Sequence, residues 1–141
     1  MRASELLKFT KQVYNGELEN ASAVYSAPHD VLYDACEGTQ FVISKGAAER
    51  MLQGYMEGAL TRADVNQWAA FVQDGRSPQL SSQDDLRRYS GTKYAHPIDF
   101  EYDPTAEDAV VSVVNSLRWV GVDEDDVIDE DKAAELIAGL R

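Results

Sequence analysis

Apolar residues recur three and four apart along most of the chain, the spacing that turns one face of an α-helix toward a core. Leu6, Phe9 and Val13, with Leu7 and Tyr14 beside them, form the first such stripe, and Asn15-Gly16 ends it. Ser4 is the expected cap of this helix, with Glu5 at its positive end. Residues 17–27 offer only Leu18 and Val24 in an Asn/Ser-rich stretch and stay ambiguous. Pro28 suits the first turn of a helix that carries Val31, Leu32 and Ala35 and stops at Gly38. Ala48, Met51, Leu52 and Tyr55 mark a further helix running to about Glu57.

The clearest helix follows. Thr61 and Asp64 resemble a capping box, Val65, Trp68, Ala69 and Val72 repeat at helical spacing, and Gly75 closes it. With the preceding helix it predicts a helical hairpin over residues 45–74, turning at Gly58-Ala59-Leu60. Residues 75–104 hold three of the four prolines and predict a long connection, with one short turn capped by Ser82. Thr105 with Asp108 predicts a second cap, for a helix carrying Ala106, Ala109, Val110, Val113, Leu117 and Val120 and ended by Gly121. Asp129 is the expected cap of a last helix with Ala133, Leu136, Ile137 and Leu140 on its face. Two short stretches, residues 40–43 and 98–102, read as strands that either pair or remain apart. The expectation is one mainly α domain over residues 1–141, a compact bundle of about five to six helices with room for a short two-stranded β element. A chain of 141 residues is long enough to bury a genuine core.

Charge changes the picture more than composition does. The formal net charge is −12, and residues 99–141 alone contribute thirteen acids against three bases. That balance disfavours direct contact with nucleic acid or anionic lipid and favours a basic protein partner, or else serves solubility. The single cysteine, Cys36, excludes an internal disulfide, and no apolar stretch is long enough to span a membrane or act as a signal peptide. The expected compartment is the cytoplasm.

Candidate chemistry is sparse. The run Asp123-Glu124-Asp125-Asp126-Val127-Ile128-Asp129-Glu130-Asp131 invites a calcium loop, but Val127 and Ile128 fall where an oxygen ligand and a glycine are needed. Its plainer reading is an acidic loop before a helix N-terminus. His29 and Cys36 share a helix face but lie two turns apart, about 10 Å, too far for a nucleophile pair. His96 precedes Pro97 in a loop. Two distant histidines and one cysteine make no metal site, and no cofactor-binding motif is present. Trp68 reads as core. Trp119 flanks its stripe and reads as half exposed, and Tyr94 and Tyr102 lie on the long connection. The expected partner-binding residues are Asp99, Glu101, Asp103, Trp119, Asp123, Glu124, Asp125, Asp126, Tyr94 and Tyr102; no catalytic residue is expected.

The segment Met51–Ala69, with Leu52, Tyr55, Gly58, Leu60-Thr61 and Trp68-Ala69, resembles small acidic bacterial proteins, some of them suspected immunity proteins of polymorphic toxin systems. The helix start at Ile128–Ala134 is also similar. The likeness covers about a third of the chain and departs at Asp74-Gly75-Arg76-Ser77, where the family-like pattern has a charged Arg-Glu-Asp run. It implies a non-enzymatic inhibitor of a toxin domain. Beside it stand an adaptor or phage-encoded helical protein whose acids only solubilise it, and an enzyme whose site assembles only in three dimensions.

Overall fold

The computed structural model describes residues 1–80 and 82–141. Helices α1 (Ala3–Tyr14), α2 (Ala21–Tyr25) and α3 (His29–Cys36) lead into strand β1 (Phe41–Ile43). Helices α4 (Lys45–Met56), α5 (Arg62–Asp74) and α6 (Gln83–Arg88) follow, then a 3₁₀ turn at Lys93–Ala95 and strand β2 (Phe100–Tyr102). The chain ends with α7 (Glu107–Trp119) and α8 (Glu130–Gly139). The fold is mainly helical, as the apolar spacing predicts. The short α2 and α6 raise the helix number, and they lie in the two stretches where that spacing is weakest. No helix among the described residues is long and apolar enough to cross a membrane.

Local chemistry accounts for most helix ends. Thr61 Oγ1 accepts from the Asp64 N–H at 3.1 Å and the Thr61 N–H donates to Asp64 Oδ2 at 2.9 Å, a reciprocal capping box. Gly75 ends α5 at φ 64°, and a Cβ there would stand 2.9 Å from the Ile98 carbonyl oxygen. Both the left-handed backbone and the close approach require glycine. Ser44, Ser82 and Asp129 cap α4, α6 and α8. Two expected caps are corrected. The N-cap of α1 is Arg2, two residues before the expected Ser4 and with no side-chain cap, and Ser4 lies within the first turn. At α7 the N-cap is Ala106, with no side-chain cap; Thr105 instead donates its N–H and hydroxyl to Asp103 Oδ1, at 3.0 and 2.7 Å. That carboxylate, one short side chain away, outcompetes the helix for Thr105.

The two strand-like stretches do pair. β1 and β2 run parallel, with Phe41 opposite Phe100, Val42 opposite Glu101 and Ile43 opposite Tyr102. A parallel pair needs a long crossover, and here the crossover carries α4, α5 and the whole 75–98 connection.

Helix α5 is the centre of the core. Val65, Trp68, Ala69, Phe71 and Val72 are all buried, and its chief neighbour is α7, through Val110, Val113, Val114 and Leu117. The α4–α5 hairpin forms as predicted, but its tighter packing partner is α7. The Trp68 indole is fully buried and donates Nε1–H to the Val13 carbonyl at 2.7 Å, tying α5 to the end of α1. Around it Tyr14 stacks on Phe41 at 4.7 Å and meets Phe71 at 5.8 Å. Each such large side chain contributes about 1.5–3 kcal/mol by leaving water.

Candidate functional site

The residues expected to bind a partner fall in three places. Asp99, Glu101, Tyr102 and Asp103 sit on and beside β2, ahead of α7. Trp119 ends that helix, which spans 13 residues or about 20 Å, and Asp123–Asp126 lie just past it. Tyr94 is elsewhere again, its hydroxyl 3.0 and 3.1 Å from the Asp34 carboxylate oxygens of α3. Asp103 and Tyr102 also have structural work. Asp103 Oδ2 accepts from the Lys45 N–H at 3.0 Å, so this side chain joins the exit of β2 to the start of α4. The Thr105 hydroxyl, then the Lys45 and Thr105 N–H groups, hold its carboxyl below the ordinary carboxylate range. Tyr102 is half-buried and packs against the core and Phe100.

The corner between α7 and α8 is the most developed surface. The C-terminal carbonyls of α7 need donors, and α5 supplies them. Asn66 Nδ2 reaches the carbonyl oxygens of Leu117, Arg118 and Val120 at 2.7, 3.0 and 3.2 Å. Arg62 Nη1 donates to the Gly121 carbonyl at 3.0 Å. Gly121 sits at φ 74°, where a Cβ would overlap the Arg62 side chain. The acidic loop then closes on itself: the Gly121 N–H donates to the Asp126 carbonyl at 2.7 Å, and the Asp126 N–H to the Asp123 carbonyl at 3.1 Å. Ile128 is buried and anchors its exit.

This frame holds three apolar side chains in water. Trp119 is 49% exposed, Val122 57% and Val127 61%, within nine residues of one another. A shallow groove of about 570 Å³ runs between Trp119 and Val127, lined also by Asp125, Asp126, Asp129 and Lys132. The Trp119 ring is itself braced: the Arg118 guanidinium lies 5.1 Å from its centroid and is held by Asp74 and by Gln73 Oε1. Asp123, Glu124 and Asp125 are exposed and Asp126 is half-buried. Among the described residues none of these four carboxylates makes an ion pair. The negative end of the α7 dipole adds to their field.

Val122 and Val127 are absent from the sequence-based site. Val122 follows Val120-Gly121 and Val127 precedes Ile128, so nothing in the sequence separates these exposed valines from their buried apolar neighbours. The supporting Asn66, Arg62 and Asp74 carry no signal either, because their role exists only once α5 and α7 pack.

His29 and Cys36 are engaged in the fold, and His96 is exposed. His29 is buried; its Nδ1 accepts from the Ser77 N–H at 3.3 Å and its Nε2 donates to the His96 carbonyl at 3.3 Å. Those bonds select the neutral Nε2–H tautomer, and burial lowers the imidazole's affinity for a second proton. Cys36 is buried, and burial pushes its thiol up to about 11, so little thiolate exists near neutrality. Among the described residues no three His, Cys, Asp or Glu side chains gather to hold a metal ion. No protein-family model, no curated protein and no solved structure matches the chain.

Proposed function

We propose that the protein is a non-enzymatic binding protein whose α7–α8 corner covers a basic surface of a protein partner, in the manner of an immunity protein that neutralises a cationic toxin such as a nuclease. One observation carries this reading: Trp119 at the end of α7 and Val122 and Val127 in the loop after it are exposed, at a corner hydrogen-bonded to α5 and beside carboxylates that make no ion pair among the described residues. Carboxylates that outnumber the nearby Arg118 and Lys132 around a small apolar platform suit a partner whose lysines and arginines surround an apolar contact. Carboxylates speed encounter by long-range attraction. The aromatic anchor slows release.

The test uses the partner captured by the intact protein from native lysate at low salt, followed by binding kinetics at low and high ionic strength. Reversing Asp123, Glu124, Asp125 and Asp126 to lysine is expected to slow association at least tenfold at low salt and to remove most of the salt dependence. Trp119→Ala is expected to speed dissociation, by the roughly 2 kcal/mol of an interface anchor. Association at the wild-type rate in the charge-reversed variant refutes the inhibitor reading. Loss of binding in Trp119→Ala alone, with the acids immaterial, favours an adaptor that docks through its apolar corner.

A further inference from the structure

A two-stranded sheet has two outer edges, and its ladder fixes which backbone groups face them. The Phe41 N–H donates to the Asp99 carbonyl and the Asp103 N–H to the Ile43 carbonyl, each at 3.0 Å. With Val42 opposite Glu101 in a parallel register, this alternation turns the backbone groups of Phe41, Ile43 and Glu101 inward and those of Val42, Phe100 and Tyr102 outward. Among the described residues no backbone hydrogen bond ends on the N–H or carbonyl of Phe100 or Tyr102, and the side-chain bonds of this stretch go to Asp103 alone. Backbone groups without a protein partner are met by water, so the outer edge of β2 is wet.

That edge is short and sharply bounded. The Ile98 N–H is taken by the Gly75 carbonyl at 2.7 Å, and Pro104 has no N–H. Between them Phe100 and Tyr102 each leave one donor and one acceptor open. The side chains alternate. Phe100 and Tyr102 lie half-buried against the core. Asp99 and Glu101 are exposed and make no ion pair among the described residues. The outer edge of β1 is poorer: it offers Val42, between the turn at Thr39 and the Ser44 cap.

We propose that the outer edge of β2 docks an extended segment of a partner protein, in which lysine or arginine alternates with apolar residues, as a third strand. Main-chain bonds to Phe100 and Tyr102 supply the attachment, and the alternating side chains supply the choice of partner. Successive side chains of an added strand fall on opposite faces. Those beside Phe100 and Tyr102 extend the apolar face, and those beside Asp99 and Glu101 meet carboxylates, a stabilising cross-strand pairing. The same rule disfavours a second copy of this chain. Laid antiparallel on its own copy, β2 sets Glu101 against Glu101 and Asp99 against Asp103, like charges directly opposed. The edge lies at the other end of α7 from the α7–α8 corner and stands independently of the function proposed for that corner.

The probe is a capped peptide of alternating lysine and valine, about six residues long, added to the intact protein and followed by amide hydrogen exchange with NMR detection. In the free protein the Phe100 and Tyr102 amides are expected to exchange freely and the Glu101 amide to be protected. Saturating peptide is expected to slow exchange at Phe100 and Tyr102 about tenfold or more and to leave Glu101 nearly unchanged. A matched peptide of glutamate and valine is expected to have no effect. Reversing Asp99 and Glu101 to lysine is expected to weaken binding about tenfold, whereas reversing Asp123, Glu124, Asp125 and Asp126 leaves the alternating protection in place. Methylating the backbone nitrogens of the valines removes the donors of an antiparallel strand, and of the lysines those of a parallel one. At least one of these peptides, its charge intact, is expected to lose the effect. Phe100 and Tyr102 amides already protected in the free protein, or no slowing with the peptide, would overturn the proposal. So would slowing that survives both methylations, or that survives reversal of Asp99 and Glu101. Protection that rises with the concentration of the protein alone assigns the edge to a second copy and equally overturns it.

Discussion

Arg118 lies fork-on to Asp74, with Nη1 2.9 Å from Oδ1 and Nη2 3.1 Å from Oδ2. The pair is partly exposed, so it adds little to global stability. Its consequence is local: a guanidinium tethered at one end makes a firm bed for the indole beside it. Asp74→Ala is therefore expected to cost under about 1 kcal/mol in urea unfolding. It is also expected to raise acrylamide quenching of tryptophan fluorescence. Trp68 is fully buried, so the quenching reports Trp119.

Asn66→Asp keeps the shape of the side chain and removes the donors that α7 relies on. It also sets a negative charge against the negative end of a helix. A loss of about 1–3 kcal/mol is expected for the carbonyls left unpaired. Chemical denaturation measures it, and Asn66→Asp should lower the midpoint more than Asn66→Ser, which keeps a donor.

Gly121→Ala meets two obstacles, a left-handed backbone and the Arg62 side chain in the space of the new methyl. A cost of about 1–3 kcal/mol is expected, with the 121–127 loop displaced. The same substitution at Gly38 or Gly58, also at positive φ but with open space around them, is expected to cost less. Thermal unfolding of the three variants gives the ranking.

Tyr14 and Trp68 are both buried aromatics, yet their polar atoms differ. The Trp68 N–H is bonded to Val13; the Tyr14 hydroxyl has no partner among the described residues. Tyr14→Phe is expected to leave stability unchanged or raise it by about 1 kcal/mol, since an unpaired buried hydroxyl is removed. Trp68→Phe loses both a bond and volume and should cost about 2–4 kcal/mol.

Acid sensitivity should arrive in two windows. His29 binds its second proton less readily folded than unfolded. Between its folded pKa and the unfolded value near 6.5, the unfolded chain holds more protons, and stability is lost as pH falls through that range. Asp103 is likewise held below its ordinary value of 3.8, so its contribution persists at neutral pH and is lost only below about that value. The unfolding midpoint against pH, compared with His29→Gln and Asp103→Asn, is expected to separate the two.

Much of the helical framework was legible in the pattern. The capping box at Thr61, the glycine end at Gly75 and the aspartate cap at Asp129 are local grammar, and local grammar survives folding. The Thr105–Asp108 cap failed because Asp103, also local, was the better acceptor. The acidic third was legible as charge but not as shape. Nothing in a charge count says that α7 puts Asp99–Asp103 at one end and Asp123–Asp126 at the other. The α7–α8 corner depends on Asn66, Arg62 and Asp74, which lie 44 to 59 residues before their partners, and such long-range partners leave no periodic trace. Trp119 was readable because it flanks its stripe. Val122 and Val127 gained meaning only beside it.

The parallel register of the two strands bears on how the chain is made. Phe41 finds its neighbour Phe100 only when the ribosome has supplied another fifty-nine residues. Until then the first three helices have no sheet to close against, and Tyr14 and Phe41 must wait for their remaining neighbours. Nascent chains halted before Phe100 should stay sensitive to protease throughout, because cooperative assembly of the N-terminal third requires material translated long after it.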